Sequence, residues 1–184
     1  MDHLIQSLKD APVVDRGEYE YFVHPLTDGI PLVEPELMAE IGRAITDRAD
    51  LDNIDKILTA EAMGIHIATA VSLESGVPFV IARKRSYRFD DEVAVHQETG
   101  YGESELYING LEDGDRLLVV DDVISTGNTL AALTEAAQTC GATIEQIVVT
   151  IRRTGDTDIP ELPTTVEHLV EVDVVDGAVE IIDA

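Results

Sequence analysis

The chain has 184 residues, a length that suits one domain with a sizeable core. Its 12 basic residues stand against 37 acidic ones, and a net charge of -25 excludes nucleic acid and anionic membrane surfaces as partners. Only three of the basic residues are lysines; such an acidic, lysine-poor surface fits a halophilic setting, where salt screens self-repulsion.

The single cysteine, Cys140, excludes an internal disulfide and is expected to be buried late in an apolar helix. No apolar run is long enough for a membrane span and Met1–Leu8 carries no signal-peptide pattern, so the expectation is a cytoplasmic protein.

In chain order, Asp2–Lys9 reads as a short helix and Ala11–Pro35 as irregular, with turn residues Gly17, Pro25, Asp28, Gly29 and Pro31. Glu34–Ala49 has helical apolar spacing at Leu37, Ile41 and Ile45, with acids at its start. Asp55–Thr59 predicts a strand, Met63–Ser75 a mostly apolar helix, and Gly76–Arg83 a second buried strand. Tyr87–Gly110 breaks the rhythm as two β-stretches around a polar, glycine-containing loop. Arg116–Val120 is a third core strand, Thr129–Cys140 a helix and Ile144–Ile151 a fourth strand. The last segment alternates around Asp176–Gly177, a hairpin signal. Strands alternating with helices imply an α/β fold with a mostly parallel sheet covered on both faces. The two ends look separate from that body and are expected to cap it.

The stretch "RLLVVDDVISTGNTLAAL" (Arg116–Leu133) carries the chemistry. Ligands of open parallel sheets bind beyond the carboxyl ends of the strands, where Asp121 and Asp122 fall. The following loop offers hydroxyls at Ser125, Thr126 and Thr129, a flexible glycine at Gly127, and then a helix N-terminus, which together make a phosphate cradle. The lysine and glycine spacing of a Walker A loop are missing. Carboxylates ahead of the cradle suit a ligand with a vicinal diol beside its phosphate, as in ribose 5-phosphate, and also suit magnesium. The plainer alternative is that the threonines cap a helix and the acids are solvated.

Six of the 12 basic residues fall in two short stretches: Arg83, Lys84, Arg85 and Arg88 after the second strand, Arg152 and Arg153 after the fourth. Cations gathered at one sheet edge of so acidic a chain point to an anionic ligand. "TAEAMG" (Thr59–Gly64) joins a strand to a helix with small residues that permit close backbone approach, again beside a helix N-terminus. The histidines show no metal-ligand spacing, and His66 reads as a packing residue. Tyr19, Tyr21 and Phe22 read as packing residues of the cap, with stacking on a base as the alternative.

These segments together resemble the type I phosphoribosyltransferases. "VVDDVISTGNT" resembles that family's motif for 5-phosphoribosyl 1-diphosphate (PRPP), "TAEAMG" the diphosphate loop of its purine enzymes, and "ETGYGESELYI" the loop that closes over the reacting centre. "RGEYEYFVHPLTDGIPLVEPELM" and "DVVDG" extend the resemblance, over nearly the whole chain, to the archaeal hypoxanthine/guanine subfamily, with xanthine and adenine enzymes as relatives.

The resemblance implies one phosphoribosyltransferase domain over 1–184, with a core of about 37–152 and a hood from about 1–36 and 153–184. It implies transfer of phosphoribose from PRPP to a purine, hypoxanthine or guanine first, with magnesium as cofactor and a homodimer as the assembly. Adenine or xanthine transfer, or a non-catalytic PRPP-sensing regulator, are the alternatives. Asp121 and Asp122 would be the catalytic pair, on the ribose hydroxyls and on the metal directly or through water. Ile124, Ser125, Thr126, Gly127, Asn128 and Thr129 would hold the 5-phosphate. Glu61, Ala62, Met63, Gly64, Arg83 and Lys84 would hold the diphosphate. Thr99, Gly100, Tyr101 and Gly102 would belong to the lid, and Arg153 would meet a purine carbonyl oxygen. Ser125 stands where many hypoxanthine/guanine enzymes carry an acid, and Gly100 where some adenine enzymes carry a glutamate, so the pattern names no general acid or base.

Overall fold

A computed structural model describes residues 1–15, 17, 20–99, 102–154 and 159–184, with side chains omitted at 97–99 and 102–104. Strands β1 (Val13–Asp15) and β2 (Glu20–Phe22) form a small antiparallel pair near the N-terminus. The main sheet is built from β3 (Lys56–Ala60), β4 (Phe79–Ala82), β7 (Arg116–Ile124), β8 (Thr143–Arg153), β9 (Val166–Val175) and β10 (Ala178–Asp183), in the order β10-β9-β8-β7-β3-β4. Only β10 runs antiparallel to its neighbour. A separate hairpin, β5 (Val93–Thr99) and β6 (Gly102–Ile108), accounts for the break in the βα rhythm.

Both faces of the sheet are covered, as continuous apolar strands require. Leu118 and Val120 of β7 face one core, shared with Ile67, Ala68 and Val71 of α4 (Gly64–Ser75) and Leu37, Ile41 and Ile45 of α3 (Pro35–Arg48). Leu117 and Val119 face the other, shared with Leu130, Leu133 and Ala137 of α5 (Asn128–Thr139) and with Val95 and Leu106 of the hairpin. Burying each such side chain contributes about 1.5–3 kcal/mol, so β7, buried on both faces, anchors the molecule. Helix α1 (Asp2–Lys9) docks Leu4 and Leu8 into the first core. Its N-terminal N–H groups are capped from α3, Leu4 N donating to Glu40 Oε1 at 2.9 Å and His3 N to Oε2 at 3.2 Å.

Three expectations shift. The terminal hairpin does not stand apart from the body: β9 pairs in parallel with β8 from Ile147↔Val166 to Arg153↔Val172, because Leu169, Val170 and Val172 belong to the first core. The third core strand runs on to Ile124, held by β8 as far as Ile124↔Arg152, so Asp121 and Asp122 lie within the strand rather than after it. Cys140 is half-buried at the C-cap of α5, outside the helix proper. No helix among the described residues is long and apolar enough to cross a membrane.

Candidate active site

The chain steps from β3 outward to β4 and then back to β7 and on to β8, so the order reverses between β3 and β7. There the sheet splits. The β3–β7 pairing ends at Leu58↔Val119, whereas β7 stays paired to β8 for five further residues. The crevice this opens at the strands' carboxyl ends is where α/β sheets bind ligands.

Asp121 and Asp122 stand on the freed edge of β7. Asp121 is buried, and its Oδ1 accepts the Asp122 N–H at 3.0 Å. Burial raises Asp121 above the usual carboxylate range; burial and then the neighbouring Asp121 charge push Asp122 further up. Two close carboxylates drawn out of water call for a positive or hydrogen-donating ligand. Among the described residues no group of three or more His, Cys, Asp or Glu forms a metal cage. Two hard carboxylate donors, leaving the other positions to water and ligand oxygens, are the donor set magnesium prefers, so these residues fit that ion.

On one side of the pair, the segment from Ile124 to Thr129 turns into α5. Gly127 occupies the N-cap with φ 74°, so it brings no capping side chain to the first turn. That is not the helix cap of the plainer sequence reading, and it leaves the loop shaped to present backbone N–H groups to an anion. Gly127 is also a close-approach site: a Cβ there would stand 2.9 Å from Ile159 Cγ2 and 3.2 Å from Pro160 Cδ, on the connection that returns over the loop.

On the other side, the Glu61–Ala62 peptide is cis, and the turn runs into α4 at Gly64. A Cβ at Gly64 would lie 2.0 Å from Thr59 Oγ1 and 3.0 Å from Asp121 Oδ1, so only glycine lets α4 begin this close to the carboxylate pair. Glu61 is engaged by its own neighbours. Its Oε1 accepts the Lys84 N–H at 2.9 Å, and its Oε2 lies 2.7 Å from Arg83 Nε, off the N–H axis, in an ion pair. Glu61 thereby gathers the β3 and β4 ends into one cationic rim.

Arg83 also exchanges backbone hydrogen bonds with Tyr107, at 2.8 and 2.7 Å, fastening the β5–β6 hairpin to that rim. Thr99 and Gly102 face each other at the end of the hairpin; Gly100 and Tyr101 of the expected lid lie outside the described residues, as does Tyr19. Arg153, at the end of β8, donates from Nη2 to the Glu20 carbonyl at 2.8 Å, joining the sheet to β2. Arg152 pairs with Glu171 at 3.6 Å, and the Arg85 guanidinium sits 5.9 Å from the Tyr87 ring centre, so those two cations are engaged locally.

A cluster that the sequence reading missed surrounds Asp28 of α2 (Pro25–Asp28). Its carboxylate accepts from Tyr21 Oη at 2.8 Å, His24 N at 3.0 Å and Thr27 Oγ1 at 2.6 Å. Burial, then the Asp28 partner, raise the Tyr21 hydroxyl above the usual phenol range, and Asp122 adds to the effect, so the phenol lies within electrostatic reach of the Asp121–Asp122 pair. His24 is fully buried, accepting from Leu26 N at Nδ1 and meeting Ser7 Oγ at Nε2, 2.9 Å away. Only "DG" at Asp28–Gly29 hinted at this, and it reads as a turn.

The phosphoribosyl transferase domain matches residues 32–176. The chain belongs to this family. It is 52% identical over 184 residues, all of this chain and 97% of the other, to the HGPRTase-like protein 2 of Halalkalicoccus jeotgali. It is 53% identical over 180 residues, 97% of this chain and 98% of the other, to the hypoxanthine/guanine phosphoribosyltransferase of Methanocaldococcus infernus. The fold is that of the adenine phosphoribosyltransferase of Rhodothermus marinus, with a TM-score of 0.74 at 22% identity over 93% of this chain and 99% of that one.

Proposed function

We propose that the protein is a purine salvage phosphoribosyltransferase that joins the phosphoribose of PRPP to hypoxanthine or guanine and releases diphosphate. The observation that carries this reading is the crevice at the split between β3 and β7. A carboxylate pair stands there between two anion-binding turns, the uncapped start of α5 and the Glu61–Gly64 turn with its cationic rim. The base assignment rests on the half-identical relative named as a hypoxanthine/guanine phosphoribosyltransferase, beside one named HGPRTase-like.

In this reading the N–H groups from Ser125 to Thr129 hold the 5-phosphate, and Asp121 and Asp122 accept hydrogen bonds from the ribose diol. The Ala62–Gly64 turn, with Arg83 and Lys84, receives the diphosphate, while Glu61 shapes that rim from behind. Fixing both ends of PRPP aligns C1 with the purine nitrogen, and the donors at the diphosphate end stabilise the charge that develops there. Magnesium on the Asp121–Asp122 side supplies further neutralisation of the leaving diphosphate when bound. The β5–β6 tip closes over the centre and excludes water. Arg153 offers its guanidinium to a purine carbonyl oxygen, which favours a 6-oxopurine over adenine. A homodimer has a face to form on: an apolar groove of about 710 Å³ between α3 and α4, lined by Met38, Ile65 and Leu73, with Leu73 83% exposed.

The test is nucleotide formation from PRPP, magnesium and each of hypoxanthine, guanine, xanthine and adenine in several-molar potassium chloride. Inosine or guanosine monophosphate is the expected product. Adenylate or xanthylate alone would reassign the base, and no nucleotide with any base would overturn the reading.

A further inference from the structure

Thr59 is the next-to-last residue of β3. It is fully buried, and its Oγ1 finds no hydrogen-bond partner among the described residues. The alternation of β3 explains its direction: Ile57 lies in the core beneath α4 and Leu58 in the core beneath α5, so Thr59 points with Ile57 toward α4. There its hydroxyl packs against Gly64, where a Cβ would lie 2.0 Å from it and 3.0 Å from Asp121 Oδ1, so the two oxygens are near neighbours. A buried hydroxyl without a partner is costly, and a valine of the same shape would avoid the cost. A buried hydroxyl placed beside the carboxylate proposed to grip PRPP calls for a role in the ligand-bound state.

We propose that Thr59 is a positioning residue: its hydroxyl is an uncommitted donor held beside Asp121, and it bonds that carboxylate when PRPP occupies the crevice. In the free protein Asp121 Oδ1 is engaged by the Asp122 N–H. A diol drawing on the pair changes how the Asp121 oxygens are shared, and the nearby threonine hydroxyl supplies the donor that fixes the carboxylate in its gripping orientation. Gly64 belongs to the same device, since any side chain there would displace the hydroxyl. The inference rests on the proposed PRPP site, but its stability consequence does not.

The experiment compares Thr59→Val and Thr59→Ser with the unaltered protein in two measurements. In thermal melts without ligand, Thr59→Val keeps its melting temperature or gains up to about 4 °C, because an unpaired hydroxyl has been removed. A drop of several degrees would show the hydroxyl already bonded in the free protein and would overturn the assignment. In steady-state assays, Thr59→Val raises KM for PRPP about tenfold or more with a smaller change in kcat, and Thr59→Ser restores KM to within about threefold. Equal KM values for Thr59→Val and the unaltered protein would also overturn it. An unaltered protein that makes no nucleotide would instead refute the proposed function, and the melts would still decide whether the hydroxyl is uncommitted.

Discussion

Replacing Gly127 with alanine tests the proposed phosphate loop with magnitudes read from the structure. Two penalties act together. The residue sits at φ 74°, where an L side chain costs about 1–2 kcal/mol. The new methyl would also stand 2.9 Å from Ile159 Cγ2, an overpacking worth about 1–3 kcal/mol unless the 159–160 segment moves. The expected loss is therefore about 2–5 kcal/mol, or roughly 4–20 °C in melting temperature for a chain this size. The assay is urea and thermal denaturation of Gly127→Ala, Ile159→Ala and the double variant. Truncating Ile159 relieves the collision but not the backbone strain, so the double variant is more stable than the sum of the single losses by about 1–2 kcal/mol. Because the loop is read as holding the non-reacting end of PRPP, the same substitution raises KM for PRPP more than it lowers kcat. A Gly127→Ala variant within about 0.5 kcal/mol of the unaltered protein, or additive losses in the double variant, would refute the packing argument.

Three further expectations follow from the same geometry. Asp122→Asn keeps the side chain's shape but removes its charge, so kcat/KM falls on the order of 100-fold, while the melting temperature does not fall because the strained carboxylate pair has been relieved. Gly64→Ala puts a methyl 2.0 Å from Thr59 Oγ1 at a buried position, and denaturation is expected to show a loss of about 3 kcal/mol, partly recovered by adding Thr59→Ala. Burial holds the fully enclosed His24 imidazole neutral, its pKa drawn from 6.5 to about 4. The unfolded chain then binds a proton that the folded one refuses, so stability falls by about 3 kcal/mol as pH drops from about 6.5 to 4 and is unaffected by His24 above that window. Denaturation across this range should show that slope, weakened in His24→Gln; an identical slope in the variant would contradict the assignment.

The residues that carry the site were legible where local pattern suffices. The apolar run ending in two aspartates, followed by hydroxyls and a glycine, announced strand, crevice and cradle, because an apolar run bounded by turn chemistry constrains a buried strand strongly. The Asp176–Gly177 turn was equally plain, and the structure places both residues at positive φ. What periodicity does not encode is which edge a strand joins. The β9–β10 hairpin reads as a free-standing cap, yet β9 extends the main sheet, since its pattern records a buried face and not its neighbour. Asp28 escaped notice for a related reason: its three donors come from Tyr21, His24 and Thr27, and only the path from β2 into α2 brings them together. Thr59 was hidden more deeply, because a threonine in a strand is ordinary and only its place beside Asp121, without a hydroxyl partner among the described residues, singles it out. Glu61 shows the reverse case. Its place in the turn between β3 and α4 is legible, but its approach to Arg83 and Lys84 is a tertiary arrangement.

The account's central claim is that one PRPP molecule spans the split between β3 and β7, gripped at both ends with its diol on the aspartates. A crystal structure with PRPP and magnesium in high salt tests this most directly. The expected result has the 5-phosphate on the N–H groups between Ser125 and Thr129, the ribose diol within hydrogen-bond distance of Asp121 and Asp122, and the diphosphate along Ala62–Gly64 beside Arg83. PRPP bound elsewhere, or with its two ends exchanged, would contradict the account.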